Sequence, residues 1–436
     1  MRIGCGAGFL NDRVDSAKEL VKKVDLDYLV FECLAERTLG IILKNSSKGG
    51  DAYAPTLLNR MREILPLCID KGTTVITNEG AADPLTAGFR VANLINEMGY
   101  DDVSIGVVIG DKISDNGILK EIVHKKDSEE FLGAFVYLGA EPVVEALKKS
   151  VDIVITGRVS DTSLFLAPMI YEFGWELDDW ERLAKGATIG HLLECCGQIT
   201  GGYFASPPEK IVTDLAKLGF PYAEVSEDGE AIISKPEGTG GAVTALTCKE
   251  QLLYEIFDPS NYVTPDVVID FTNVEFQEIG KDRVVVTGAR GKPRPENLKV
   301  IIFYKSGYIG EGEISYGGYR ALERAKLASE VILERLRIRR ISFDDVRVDF
   351  IGINSLSKAV NLNEFNNIPE VRLRVAVKSK RLDEVKIFCD EVEALLTNGP
   401  AGGGGVKTSI DELVRTDYAF IPREKIATKV FVITNR

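Results

Sequence analysis

Along the first half of the chain, short runs of Val, Ile and Leu alternate with longer stretches in which apolar residues return every three or four positions. The runs Met1–Cys5, Asp27–Glu32, Thr73–Thr77, Val103–Ile109 and Asp152–Thr156 predict strands. Between them, Asp12–Lys23, Leu57–Ile69, Leu85–Met98 and Glu141–Lys149 predict helices, and another begins near Asp161. This repetition predicts an α/β fold with a doubly wound, mainly parallel sheet covered by helices on both faces. Right-handed crossovers then gather the carboxyl ends of the strands on one edge.

Beyond about residue 205 the rhythm changes. Lys235–Gly241 (KPEGTGG) is dense in turn formers, Ala242–Thr247 and Val267–Phe271 predict strands, and Tyr319–Arg335 predicts a long helix. Val371–Val377 alternates apolar and polar residues like a half-buried strand. The expected organisation is an α/β domain over residues 1–255 followed by a smaller α+β domain over 256–436, with the run Gly402–Gly405 as its one compositional oddity.

The predicted strands run into polar or glycine-rich loops, and ligands of open parallel sheets bind at that edge. The first loop holds Gly6 and Gly8, whose N–H groups suit a phosphate or carboxylate. Its G-x-G lacks the third glycine of a dinucleotide fingerprint, because position 9 is Phe, so an ordinary tight turn competes with that reading. Glu32 closes an otherwise apolar strand, where burial would raise its pKa and suit it to proton transfer. Asn78 and Glu79 are ligand candidates, whereas Asp83 before Pro84 reads as a helix cap. Arg158 could grip a carboxylate bidentately or simply pair with Asp161. In the second half, Asn398, Gly402 and Gly403 suit close backbone approach to a ligand, with a flexible loop as the plainer alternative.

Composition narrows the chemistry. The 436 residues carry a net charge of −13, which opposes non-specific nucleic-acid binding. Seven scattered cysteines without a C-x-x-C pair fit reduced thiols, and no secretory signal or membrane-length apolar run is present, so a cytoplasmic protein is expected. Only two histidines occur, His124 and His191, so a three-histidine zinc site cannot form within one chain. His191 and Glu194 share a helix face at i, i+3, either as a weak metal pair or as a buried structural group, and Cys195 and Cys196 follow them.

Segments spread in order along the chain, GAGFLNDR, YLVFECLAERT, ITGRVSDTSLFLAP, GHLLECCGQITGGYFA, QLLYEIFDPSNYVTPDV, GEGEISYGG and TNGPAGGGG, resemble the acyclic terpene utilization family, AtuA. The resemblance implies catabolism of branched acyclic terpenoids or related acids through CoA thioesters, with a lyase or hydratase step. Many longer relatives carry a small extra C-terminal domain, which implies a small separate AtuA-type partner subunit for this chain. It assigns no catalytic residues.

The resulting expectation is an enzyme for a small carboxylate or acyl-CoA. Glu32 or Asp161 moves protons, Arg158 clamps a carboxylate, and Gly6, Gly8, Asn78, Glu79, Asn398, Gly402 and Gly403 bind substrate. CoA would enter as part of the substrate, a divalent Mg or Mn ion on Glu and Asp is left open, and a homo-oligomer is expected. A non-catalytic binding or scaffold subunit and a dinucleotide-binding enzyme remain as alternatives.

Overall fold

The computed structural model describes all residues except 127–128, 358, 363–364, 366–367 and 435–436. Its first half alternates as the apolar rhythm requires. The run is β1 (Arg2–Ala7), α1 (Val14–Lys23), β2 (Tyr28–Phe31), α2 (Glu36–Ser46), α3 (Leu57–Lys71), β3 (Thr74–Thr77), α4 (Pro84–Glu97) and β4 (Ser104–Ile109). It continues with α5 (Asn116–Ile122), β5 (Glu130–Val136), α6 (Glu141–Leu147), β6 (Ile153–Ile155), α7 (Asp161–Phe173) and α8 (Trp180–Glu194). Every residue of β2 and β6 is buried, as strands covered on both faces should be. Asp83 caps α4, its side chain accepting from the Thr86 N–H at 3.1 Å with Pro84 next in line.

The later strands are β7 (Tyr222–Val225), β8 (Ala231–Ser234), β9 (Tyr262–Val263), β10 (Val268–Asp270), β11 (Glu275–Gly280), β12 (Arg283–Thr287) and β13 (Arg290–Lys292). They are followed by β14 (Asn297–Gly317), β15 (Asp345–Ile351), β16 (Glu370–Ser379), β17 (Gly403–Pro422) and β18 (Lys429–Thr434). The helices among them are α9 (Ala245–Leu253), α10 (Ala321–Ile338), α11 (Leu382–Glu393) and α12 (Leu395–Asn398). In place of the strand expected over Ala242–Thr247, residues 242–244 lead into α9, which begins at Ala245. Thr244 and Thr247 form a reciprocal capping box there, so these threonines start a helix where their β-branching suggests a strand.

Ten strands form one sheet in the order β11-β12-β8-β7-β1-β2-β3-β6-β4-β18. Its centre, β1-β2-β3-β6-β4, is parallel throughout. Antiparallel strands flank it, β7 beside β1 and β18 beside β4. The α/β class is thus as expected, with a sheet that is mixed at its margins.

The chain divides into two compact units. The first takes residues 1–123, 133–302 and 417–436, and the second takes 124–132 and 303–416. Residues 256–302 and 417–436 therefore lie with the ten-stranded sheet, on the other side of the boundary expected at 255/256. In the second unit β16 pairs antiparallel with both β14 and β15, and α10 and α11 cover a core that includes Leu322, Ile332, Val375 and Phe388.

Candidate active site

The five parallel strands deliver their carboxyl-end residues to one edge of the first unit. Glu32, directly after β2, is 6 % exposed. Its Oε1 accepts from Asn78 Nδ2 at 2.9 Å and from the Leu34 N–H at 3.0 Å. Burial, reinforced by the nearby Asp161 charge, pushes its pKa up to about 8, against the opposing pull of Arg158 and Asn78. Asn78 is fully buried and holds the loop from both ends, its Oδ1 accepting from the Cys33 N–H at 2.8 Å. Glu79, also fully buried, pairs with the buried Arg60 and accepts from Thr56 Oγ1 at 2.7 Å. Arg60 reaches on to the Leu10 carbonyl at 2.8 Å and so ties the β1, β2 and β3 loops together.

Arg158 follows β6 and is buried. Its side chain donates to the Leu34 carbonyl, to the Val159 carbonyl and to Asp161, and its guanidinium lies 4.6 Å from the centre of the Tyr137 ring. Its main-chain N–H donates to Asp111 at 2.7 Å. Burial raises Asp111 to about 6 despite the backbone donors that hold it down. Asp161 opens α7, where the helix dipole favours a carboxylate, and its side chain stays 40 % exposed.

A cavity of about 530 Å³ lies over this edge. Glu32, Asp161, Glu194, Asp12 and Glu255 give it an acidic lining, while Phe9, Tyr203, Leu215 and Tyr254 contribute apolar surface. Phe9, Tyr203 and Leu215 are exposed, which places them at the mouth. A second cavity of about 600 Å³, lined by Tyr137, Tyr262, Leu298, Lys299 and Phe420 among others, also includes Asp161 in its wall. A larger hollow of about 770 Å³ sits at the amino end of β1, around Met1, Arg2, Asp25 and Asp27, and has none of the buried carboxyls. The chemistry therefore points to the two smaller cavities.

His191 and Glu194 meet near the end of α8, Nδ1 to Oε1 at 3.0 Å, and His191 Nε2 lies 3.1 Å from the Leu252 carbonyl. Cys195 beside them is pushed up by burial and by Glu194, so it is no ready thiolate. Among the described residues, no group of three or more His, Cys, Asp or Glu is placed to hold a metal ion.

The other candidates separate into two groups. A Cβ on Gly6 would strike the Phe31 ring, and one on Gly8 would lie 2.6 Å from the Cys195 backbone, while the Gly8 N–H is taken by Asp12 at 3.0 Å. Protein therefore fills the first glycine loop, although Gly8 borders the acidic cavity. Asn398, Gly402 and Gly403 belong to the second unit. There the Asn398 carbonyl accepts from Arg335 at 2.6 Å, Gly402 has φ +75° beside Arg324, and Gly403 abuts Ile314 and Tyr316. The strand-end edge of the first unit thus gathers Glu32, Asn78, Glu79, Arg158 and Asp161 with Gly6 and Gly8.

Sequence reasoning passed over Arg60, Tyr137 and Lys299. Arg60 had a readable signal, because it occupies the apolar stripe Leu57, Met61, Ile64 of α3, where a charge demands a buried partner. Tyr137 and Lys299 carried none: both converge on Glu36, at 2.5 and 2.9 Å, from distant parts of the chain.

The pattern of the acyclic terpene utilisation family protein AtuA matches residues 1–432. The chain belongs to that family. No curated protein matches it. The AtuA match covers both units, so the strand-end edge and the second unit are parts of one family architecture. Among the described residues of this AtuA family member, no helix is long and apolar enough to cross a membrane.

Proposed function

We propose that the chain is a catabolic acid–base enzyme of lyase or hydratase type, acting on a small branched carboxylate or its acyl-CoA thioester. The observation that carries this reading is a pair of carboxyls in one cavity with opposite surroundings. Glu32 is buried and raised to about 8, whereas the half-buried Asp161 is ion-paired to Arg158. A buried, protonated carboxyl beside a solvent-reached, ion-paired one can divide the acid and base roles. Glu32, protonated at neutral pH, gives a proton to the substrate, and Asp161 takes one from water or from the carbon beside the carbonyl. Arg158 orients Asp161, and Asn78 orients Glu32. The apolar mouth suits a hydrocarbon chain, and membership of a terpene-utilisation family supports a catabolic role. The filled first glycine loop counts against a dinucleotide there.

The test is hydration of a branched unsaturated thioester, 3-methylcrotonyl-CoA, followed by loss of its conjugated absorbance. Glu32→Gln and Asp161→Asn should each lower kcat by about 100-fold or more, the range general acid–base groups supply. Turnover by the wild type with both variants unimpaired would end this assignment of roles.

A further inference from the structure

We propose that Glu194 is a further proton-carrying residue of the acidic cavity, with His191 behind it as its proton store. This rests on reading the cavity as an acid–base site. A carbonyl oxygen only accepts, so the contact of His191 Nε2 with Leu252 O at 3.1 Å fixes a hydrogen on Nε2. The other nitrogen, Nδ1, faces Glu194 Oε1 at 3.0 Å. Either Nδ1 is bare and accepts from a protonated Glu194, or it is protonated and donates to a carboxylate. In both arrangements one proton lies between the two atoms and the pair has no net charge.

The surroundings keep that proton in place. His191 is 1 % exposed, its ring centre 5.3 Å from that of Tyr262 and 5.7 Å from that of Phe271. Gln251 Nε2 donates to the His191 main-chain carbonyl at 3.2 Å. The charges bearing on the pair from neighbouring elements are Asp161 and Glu255. Burial first, and then those two carboxylates, raise Glu194 against the pull of His191, while Glu194 raises His191 against burial, so both partners hold on to the one proton between them and it is shared.

The second oxygen, Glu194 Oε2, is buried without a hydrogen-bond partner, although Glu194 borders the cavity. A buried acceptor left unmet calls for a partner, and a ligand in the cavity supplies one. As the ligand's O–H or C–H bond breaks, its proton joins Oε2 and the electron pair stays on the ligand. The proton shared between Oε1 and Nδ1 then passes wholly to Nδ1, its bond to Oε1 breaking, which leaves an imidazolium behind a neutral carboxyl. The reverse sequence returns the proton.

With two histidines in the chain, ¹⁵N-histidine labelling gives a spectrum that a His124→Asn variant assigns. In the ligand-free protein, His191 Nε2 should stay protonated across the accessible pH range, and Nδ1 should show a shift between the bare and protonated extremes. Glu194→Gln should move Nδ1 to the bare, hydrogen-bonded extreme and lower the His191 titration by more than one pH unit. A freely titrating His191 that loses its Nε2 proton, or a spectrum unchanged in Glu194→Gln, would overturn the proposal. On 3-methylcrotonyl-CoA, Glu194→Gln should lower kcat at least 10-fold with KM little changed and alter the pH profile, with Glu194→Asp recovering part of the loss. Undiminished kcat in Glu194→Gln would also overturn it. Failure of the wild type to turn over any thioester would sink the preceding functional reading instead, with the ligand-free spectra still deciding whether the proton is shared.

Discussion

Glu32 illustrates how a useful carboxyl weakens the fold that holds it. Its folded pKa of about 8 lies above the ordinary value of 4.5. The folded chain therefore holds this proton where the unfolded chain has released it, and stability falls as pH rises from 4.5 through 8. Glu32→Gln keeps an acceptor for Asn78 and Leu34 without the titration, so it should be the more stable protein at pH 9 by up to a few kcal/mol. Urea unfolding at pH 5 and pH 9 checks this, and an equal pH dependence in both proteins would refute it. Arg60 predicts the opposite outcome. Removing it with Arg60→Met strands Glu79 without its counter-charge and should cost about 3–5 kcal/mol. The double variant Arg60→Met/Glu79→Met should recover much of that loss in the same measurement. Sequence patterning exposed Glu32 because it closes an apolar run, yet Arg158 offered a choice between substrate clamp and ion pair that only packing could decide. In the structure its donors go to Leu34, Val159 and Asp161.

At the scale of elements, the strand-end loops can converge because small residues stand where they touch. Gly8 crosses the Cys195 backbone so closely that a Cβ would sit 2.6 Å from its carbonyl carbon, and backbone atoms cannot swing aside as a side-chain tip can. Gly8→Ala should cost about 1–3 kcal/mol, the range for overpacking, and should lower turnover by displacing Cys195 and Glu194. Differential scanning calorimetry with a thioester assay checks both. The parallel strands were legible because burial on two faces leaves continuous apolar runs such as Tyr28–Phe31. The marginal strands were harder to read. Glu275–Gly280 is mostly exposed and polar, and its place depends on pairing with Arg283–Thr287, not on any apolar signal of its own. Ala242–Thr247 carries a strand-like signal but leads into a helix, because β-branched residues also serve as helix caps.

Across the whole molecule, residues remote in sequence complete the first unit. β18 pairs with β4 over six registered positions, from Lys429 with Ile109 to Thr434 with Ser104. Deleting residues 427–436 should bare the β4 edge, lower Tm by several degrees and promote self-association, as open strand edges do. Thermal unfolding and light scattering check this, and an unchanged, monodisperse protein would show that β18 adds little. Such closure was not legible, since nothing local in KVFVIT names its partner strand.

Asp161 stands in the wall of two chambers at once. Occupants of the two would share one carboxylate between them. Thermodynamic reciprocity then requires that whatever the first does to the hold on the second, the second does equally to the hold on the first. Affinity measured for either occupant alone would therefore understate or overstate what the protein experiences when both are aboard.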